Sequence, residues 1–308
     1  MNLFGLFGQR DPDAAARQAA HERRLADIEA SLRTDTVPAA TQERLEGARS
    51  GRLPWIATLT PAELMITRSH GLRPIAAVSA TCWLHYGWSW TEGHAQGWEA
   101  ALRRLRAEAR AAGANAVLDV KMRTLPLRVE TSMDFTLVGT AVYAEGLSPS
   151  SDPIVATVPA LEFVKLLEAD IVPTGIAIGA QYDWLTDWRN RATMNWMGNI
   201  ESVQLGQFWE KIRHAAHAEL RQSALAQGNG VLAHVNFSQM FEFEGGENKP
   251  KRFLGRHIVI ATALDARRDQ EFPHEIKMVV DMHAGATPLT GTRRHHQSYA
   301  SNEREGGI

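Results

Sequence analysis

The fold is decided by residues 98–143, which read WEAALRRLRAEARAAGANAVLDVKMRTLPLRVETSMDFTLVGTAVY. This stretch begins with alanine, leucine and arginine at helical spacing, turns at Ala112-Gly113-Ala114-Asn115, and ends in two apolar runs, Ala116–Met122 and Phe135–Tyr143. Glycine commonly follows the last turn of a helix, and short apolar runs rich in β-branched residues are typical of strands. We therefore predict one helix followed by two strands.

The same pattern occurs a second time further along the chain. Its helix begins at Phe208-Trp209-Glu210, and its turn is Gln227-Gly228-Asn229-Gly230. Its two apolar runs are Val231–Phe237 and His257–Leu264. An internal repeat of this size predicts two structural units of one kind.

The residues upstream of each helix support the repeat. Glu63 and Pro74 are eleven residues apart, and so are Glu162 and Pro173. The interval from that proline to the helix tryptophan is 24 residues in the first copy and 36 in the second. The difference indicates an insertion of twelve residues within Leu185–Gly206.

The chain of 308 residues exceeds the usual length of one domain. We predict an α+β protein with two tandem copies of a small sheet-plus-helix domain, at residues 55–146 and 156–268. Residues 1–54 form a helical N-terminal arm. The tail, residues 269–308, is predicted to be largely disordered because it is rich in Gly, Ser, Arg and Glu, apart from a weak strand candidate at Glu275–Met282.

The N-terminal arm should contain two helices. Asp11–Leu32 is rich in Ala, Arg and Glu and places Leu25, Ile28 and Leu32 on one helical face, and a second helix is predicted over roughly Ala40–Ala48. The narrow apolar stripe fits either an arm that lies on the body or a short coiled-coil seam. We favour the arm on the body.

The extreme N-terminus, Met1–Gly8, carries large apolar side chains that include Phe4 and Phe7. These residues have no local core to enter. They either tuck against their own domain or dock on a neighbouring subunit or a membrane interface.

Composition excludes several classes of function. The formal net charge of −2 provides no bulk attraction to nucleic acid or to an anionic membrane. A single cysteine, Cys82, excludes an intramolecular disulfide and favours a cytoplasmic location. No stretch is long and apolar enough to predict a membrane span.

Aromatic residues concentrate in a predicted loop after the first strand of each copy. These are Trp83, Trp88 and Trp90 in the first copy and Trp184, Trp188 and Trp196 in the second. Such side chains either cover their own core or act as anchors of an interface, because they bury much area with few rotatable bonds. We favour the interface.

One detail of the repeat conflicts with simple strand alternation. The face that carries Leu118, Val120 and Met122 in the first copy becomes polar at His234 and Asn236 in the second. A shift of one residue exchanges the two faces of a strand. Either one copy contains a bulge or both faces of the sheet are covered.

Three motifs of the first copy are Gly71-Leu72-Arg73-Pro74, Ala112–Val117 and Val138–Val142, and less exact versions occur within residues 157–266. These motifs resemble the YbjQ-like family of bacterial proteins, which is labelled heavy-metal-binding. The resemblance implies a small domain in each copy, with an antiparallel sheet and one long helix. Single-copy members assemble into rings of five, so the resemblance also implies a homo-oligomer. It implies no enzymatic activity.

Few residues are suitable as metal ligands or nucleophiles. His214 and His217 share a helical face, and His234 is a candidate third ligand from the following strand. Cys82 and His85 are the Cys/His nucleophile candidate, but their spacing places them on opposite faces of a strand and no orienting carboxylate is evident. We expect Zn²⁺ or Cu²⁺ to bind weakly, if at all.

The preferred hypothesis is a non-enzymatic oligomeric scaffold or binding module, assembled as a ring of repeats. The alternative is a metal-binding or metal-responsive protein that uses His214, His217, His234 and Cys82 as ligands, and a hydrolase is the third hypothesis. One long helix covers one face of its sheet, so Val117 and Val138 are expected to need cover from the other repeat or from another chain.

Overall fold

The structure is a computed structural model that describes residues 12–85, 89–127, 132–147, 151–186, 203–243 and 252–266. The helices in these residues are α1 Pro12–Thr34, α2 Ala39–Arg49, α3 Pro61–Ser69, α4 Trp90–Ala111, α5 Ala160–Glu168 and α6 Val203–Leu225. The strands are β1 Leu72–His85, β2 Ala116–Leu127, β3 Ser132–Ala144, β4 Ile154–Val155, β5 Ile171–Thr186, β6 Gly230–Phe243 and β7 Arg252–Ala266.

Two modules with the same order of elements follow the N-terminal helices. The first module, residues 55–147, contains α3, β1, α4, β2 and β3, and the second module, residues 154–266, contains β4, α5, β5, α6, β6 and β7. In each module the long helix connects two strands and the last strand lies between them, in the orders β1-β3-β2 and β5-β7-β6. The α+β class is confirmed. That the modules are duplicates of one unit stays a prediction.

The first sheet takes its fourth strand from the second module. β4 pairs with β2 in parallel, and Val155 lies opposite Val117. Ala156 N donates to Val117 O at 2.9 Å, and Val120 N donates to Ala156 O at 3.1 Å. The sheet is therefore mixed, and not purely antiparallel as predicted, because the segment that enters the second module pairs with the edge of the first.

Helix α4 begins earlier than predicted. Its N-cap is Ser89, whose side chain accepts from Glu92 N at 3.2 Å. The predicted loop is shorter than residues 83–90, because Trp83 belongs to β1 and Trp90 opens α4, and its middle residues 86–88 lie outside the described residues. In the second module Trp184 also lies on a strand, β5.

Helix α3 begins with a capping box that also joins the modules. Glu63 Oε2 accepts from Thr60 N at 2.6 Å, and Thr60 Oγ1 accepts from Glu63 N at 3.4 Å. The other carboxylate oxygen, Oε1, accepts from Ala160 N at the start of α5. One carboxylate thus satisfies free backbone donors at two helix starts, which are otherwise unpaired within a helix.

A bulge interrupts the first strand after the long helix in both modules, β2 and β6. The register of β2 against β3 shifts between Leu118 and Lys121, where Asp119 has φ +52°. The register of β6 against β7 shifts between Ala233 and Val235. The bulge falls at the same place in both copies and exchanges the two strand faces alike, so a bulge in one copy alone does not account for the polar residues at positions 234 and 236.

Helix α4 lies between the two sheets. Trp98 and Leu105 of α4 share one buried core with Phe135 of the first sheet and with Ile258 and Ile260 of the second. The helix therefore packs on both sheets, whereas the sequence predicted that it packs only on the sheet of its own module.

The outer faces of the two sheets are covered by the other helices. Phe163 and Val164 of α5 share a core with Leu118 and Val142 of the first sheet. Leu220 and Ala224 of α6 pack with Val259, Ala261 and Ala263 of the second sheet.

The expected position of Val117 is wrong. Val117 belongs to the core around α4, because the alternation of β2 places its neighbour Leu118 on the face toward α5. Val138 is half-buried and alternates with Leu137, which lies in the α4 core. The face of the first sheet that α4 does not contact is covered by α5 of the second module, within the same chain.

The N-terminal arm is helical, but its two helices behave differently. Leu25, Ile28 and Leu32 of α1 are 52%, 45% and 53% exposed, so this stripe does not lie on the described body as favoured above. Leu45 of α2 is fully buried in the core around α4. The arm therefore docks through α2.

Candidate functional site

A buried histidine lies where the modules meet. His94 of α4 is fully buried, and its Nε2 accepts a hydrogen bond from Trp98 Nε1 at 3.0 Å. Its ring centroid lies 5.4 Å from that of Phe135 and 5.5 Å from that of Tyr182 on β5. No described residue forms a hydrogen bond with Nδ1. The imidazole thus lies in an aromatic environment formed by both modules.

A buried arginine shares this junction. Arg256 of β7 is 3% exposed, and it donates to Gln239 Oε1 at 2.5 Å and to Met133 Sδ at 3.9 Å. Its guanidinium lies 5.0 Å from the ring centroid of Phe241. Burial, assisted by the positive charge of Arg256, lowers the pKa of His94 to about 3. His94 is therefore neutral at physiological pH and joins the modules by packing.

The lowered pKa of His94 predicts acid sensitivity. The folded pKa of about 3 lies below the ordinary value of 6.5, so between these pH values the unfolded chain binds a proton that the folded chain excludes. Stability is fully present above pH 6.5 and falls with pH. We expect the difference in unfolding free energy between the wild type and His94→Gln to change by about 1.4 kcal/mol per pH unit between about pH 6 and 4. Urea titrations across this range measure it, and parallel curves for the two proteins would contradict it.

Two further histidines face each other between α6 and the second sheet. The ring centroids of His217 and His257 are 5.7 Å apart. His257 is 1% exposed, its Nδ1 shares a hydrogen bond of 2.8 Å with Ser238 Oγ, and its Nε2 has no hydrogen-bond partner among the described residues. Burial, followed by the charges of His217 and Arg213, lowers the pKa of His257 to about 4. The Nε2 atom of His257 and the ring of His217 together offer two nitrogen ligands to a soft or borderline cation, and the positive charge of Arg213 opposes a cation there.

The other predicted metal ligands do not join this pair. His214 is exposed on α6, and Cys82 is buried on β1 in the α4 core. His234 lies at the bulge of β6, and its side chain is outside the described set. Within the described part of the chain, no three His, Cys, Asp or Glu side chains converge as a metal site.

Cys82 and His85 lie on opposite faces of β1, as their spacing predicts. Cys82 faces inward and His85 faces outward, where it contacts Trp83 at 4.5 Å between ring centroids. Burial raises the pKa of the Cys82 thiol and thereby suppresses the thiolate form. This pair has neither the geometry nor the ionisation of a nucleophile and its base.

The structure places the predicted interface aromatics in different environments. Trp90 stacks on Tyr182 of the second module at 5.9 Å between ring centroids, so it lies at the junction. Trp83 is 53% exposed, and Trp184 lies 4.2 Å from the guanidinium of Arg252. The remaining predicted positions lie outside the described residues: Phe4, Phe7, Trp88, Trp188 and Trp196.

Matched positions in the two modules differ sharply in exposure. The edge residue Val117 of β2 is fully buried, but its counterpart Val231 of β6 is 40% exposed. Val155 of β4 is fully buried, whereas Ile56, the matching residue before α3, is 65% exposed. We call β6 the trailing edge of the second module and residues 55–59 the leading segment of the first. At the internal junction, where residues 154–158 pair with β2, the matching residues are buried. The trailing edge and the leading segment therefore have the composition of the two sides of that junction but lack its contacts among the described residues.

The same contrast holds for the short helices. Val164 of α5 is 4% exposed and packs on the first sheet, whereas the matching Met65 of α3 is 76% exposed. Large apolar side chains at such exposure are typical of surfaces that another molecule covers.

Sequence reasoning missed Ile56, Met65 and Val231 as surface residues, and it missed His257 as the partner of His217. The matched Glu-to-Pro spacing already aligned Ile56 with Val155 and Met65 with Val164. That alignment was the available signal. For His257 no local signal exists, because strand register and helix packing bring the two rings together.

Comparison with known proteins is informative for one part of the chain. None of the described helices has the length and apolar character required to cross a membrane. No curated protein and no solved structure shows significant similarity. Residues 88–145, which span α4, β2 and β3, match the model of the YbjQ family described as "Putative heavy-metal-binding", so this stretch of the chain is similar to that family.

Proposed function

We propose that this protein is a non-enzymatic oligomeric scaffold or binding module, built from two copies of a YbjQ-like domain and located in the cytoplasm. The observation that supports the proposal most directly is the exposure of Ile56, Met65 and Val231, whose counterparts at the internal junction are 0–4% exposed. Exposed apolar side chains at matched positions favour contacts between molecules.

The shared plan of the modules supports the duplication. Thr58 and Thr140 bond through their hydroxyl oxygens at 2.8 Å, and Thr157 and Thr262 form the equivalent bond at 2.8 Å. Equal bonds at equal positions are what duplication of one unit predicts.

The chemistry available to the chain argues against an enzyme. Cys82 is buried with a raised pKa, and His257 has its pKa lowered to about 4, which makes it a weak base. The buried His94 is equally disfavoured as a base. These groups are suited to packing and not to proton transfer near neutral pH.

Sedimentation velocity of the full chain tests the scaffold proposal. We expect species heavier than the 34.1 kDa monomer at micromolar concentration, with a proportion that rises with concentration. A well-folded monomer throughout the micromolar range would contradict the proposal.

The second candidate function is metal binding, and the pair His217–His257 favours it. The stretch that matches the family described as heavy-metal-binding contains one histidine, His94, and no cysteine. His94 is fully buried beside Arg256, whose charge opposes a bound cation. The matched stretch therefore does not fit a resident metal, and the His217–His257 pair lies outside it.

Calorimetry with Zn²⁺ and Cu²⁺ tests this second candidate. Because two imidazoles form half of a four-ligand site, we expect weak binding that His217→Ala and His257→Ala both abolish and that His214→Ala leaves unchanged. Binding that survives both of the first two substitutions would contradict a site at this pair, and tight stoichiometric binding that depends on them would favour the metal function over the scaffold.

A further inference from the structure

The junction inside the chain shows how one module extends another. The segment 154–158 runs along the edge of β2, with Ala156 N donating to Val117 O at 2.9 Å and Asp119 N donating to Val158 O at 3.0 Å. Its side chains and those of α5 then cover Leu118 and Val142 on the outer face of the sheet. The contact is head-to-tail, since the leading segment of one module meets the trailing edge of the other.

Both parts of this contact, the segment before the short helix and the edge strand, occur again at the two ends of the pair of modules. Residues 55–59 precede α3 as residues 154–158 precede α5, and β6 is an edge strand of its sheet among the described residues. Asn229 also reproduces the role of Asn115: each side chain bonds the backbone N–H and C=O of one residue in the central strand, Ala266 and Ala144 respectively. The backbone that would receive a strand is therefore held alike in both modules.

From this juxtaposition we propose that residues 55–59 of one molecule add as a parallel strand to the edge of β6 in a second copy of the chain, with α3 covering the adjacent part of that sheet on the face opposite α6. This inference rests on the proposed scaffold function and names its contact. Ile56 lies opposite Val231, as Val155 lies opposite Val117, and Ala57 N donates to Val231 O.

Apolar and charged side chains favour a second copy as the occupant. On the face opposite α6, the second sheet carries Ile171, Leu232 and Leu264 at this end, all partly exposed, and Met65 is an exposed apolar residue on α3. One chain thus has partly exposed apolar side chains on the second sheet and an exposed apolar side chain on α3, at opposite ends, although Leu232 also packs against the cluster around α5. A contact between different surfaces of identical molecules is heterologous, so it yields a ring if the rotation closes and an open array if it does not.

The residues that match the contact of α4 with the second sheet differ in chemical character at the two ends of the chain. Arg213 of α6 occupies the position of Leu102 in α4, and Asp134 of β3 occupies the position of Arg256 in β7. Arg213 is exposed and Asp134 is half-buried. Opposite charges on the two ends favour head-to-tail encounter, but the apolar sandwich around α4 is not repeated. The contact between chains should therefore be weaker than the internal junction and dependent on concentration.

Two single substitutions and their mixture test the contact. Ile56→Asp alters the leading segment and Val231→Asp alters the trailing edge, and both positions are exposed enough to leave the folded chain intact. Because each introduces a charge at the proposed contact, we expect each variant to be monomeric where the wild type associates, with a dissociation constant raised by at least about tenfold. Leu25→Asp on α1 is the matched control, since Leu25 is 52% exposed and lies outside both surfaces.

A head-to-tail contact makes a specific prediction for the mixture. Ile56→Asp retains a normal trailing edge and Val231→Asp retains a normal leading segment, so an equimolar mixture should form a dimer of one copy of each and grow no further. Sedimentation velocity distinguishes this dimer from monomers. In wild type, hydrogen exchange at the backbone amides of residues 233 and 234, the counterparts of the donors Asp119 and Val120, should slow as concentration rises, and in Ile56→Asp it should be fast at all concentrations.

Three outcomes would overturn the inference, and they separate it from the scaffold proposal. An oligomer that survives both substitutions, or that Leu25→Asp dissociates, would place the contact elsewhere and leave the scaffold intact. Slow exchange at residues 233 and 234 in monomeric Ile56→Asp would show that another part of the same chain covers the edge. A wild type that remains monomeric would remove both proposals.

Discussion

Replacing Gly179 with alanine should destabilise the protein by about 3 kcal/mol, because the added methyl group has no room. Gly179 lies on β5 directly beneath α6, where a Cβ atom would overlap the carbonyl oxygen of Ala216 and approach Leu220 N to 2.8 Å. Both obstacles are backbone atoms of a helix, so relief requires α6 to move away from the sheet. The packing of Leu220 and Ala224 on the second sheet would be lost with that movement.

Urea unfolding followed by circular dichroism measures this effect. Gly206→Ala is the matched control, because Gly206 lies in α6 with no atom within 4 Å of the added Cβ. Alanine favours the helix over glycine, so the control should be neutral or stabilised by up to about 0.5 kcal/mol. Equal stability of Gly179→Ala and wild type would contradict the close approach of helix and strand.

The second large effect is expected for Asn115→Ala, at about 3 kcal/mol. Asn115 is 3% exposed, accepts from Ala144 N at 2.8 Å through Oδ1, and donates to Ala144 O at 2.9 Å and Leu147 O at 3.3 Å through Nδ2. Truncation leaves buried backbone groups without partners, and alanine is too short to replace any of these bonds.

Asn229→Ala is the matched comparison for this prediction. Asn229 forms the same pair of bonds with Ala266, at 2.9 Å each, but on an exposed part of the second module. Water can replace the lost side chain there, so the expected loss is about 1 kcal/mol. Similar losses for the two variants would show that burial of the first site does not determine its contribution.

Local sequence patterns predicted the order of elements. Thr60, Pro61 and Glu63 mark the start of α3 through a capping box, and Gly113 follows α4 with φ +73°. Both signals operate within a few residues, so they are legible without the rest of the fold. The aromatic run hid the start of α4 because the capping residue, Ser89, lies between Trp88 and Trp90.

The candidate sites were only partly predictable. His217 was identified from its helical spacing with His214, but its partner in the structure is His257, which lies 40 residues further along the chain. The bulge in β6 sets which side chains of that strand face inward, and a one-residue shift reverses them. Spacing along one element therefore identifies candidates on that element and says little about their partners on others.

By itself, the sequence determined the α+β class and the repeated order of helix and strands. Only the tertiary structure decided that β4 pairs in parallel with β2, that α4 lies between two sheets, and that Arg256 and His94 are buried together. The physical reason is the range of the interactions. Helix caps and apolar periodicity act within a few residues, whereas strand pairing and burial depend on which surfaces meet after the whole chain has folded.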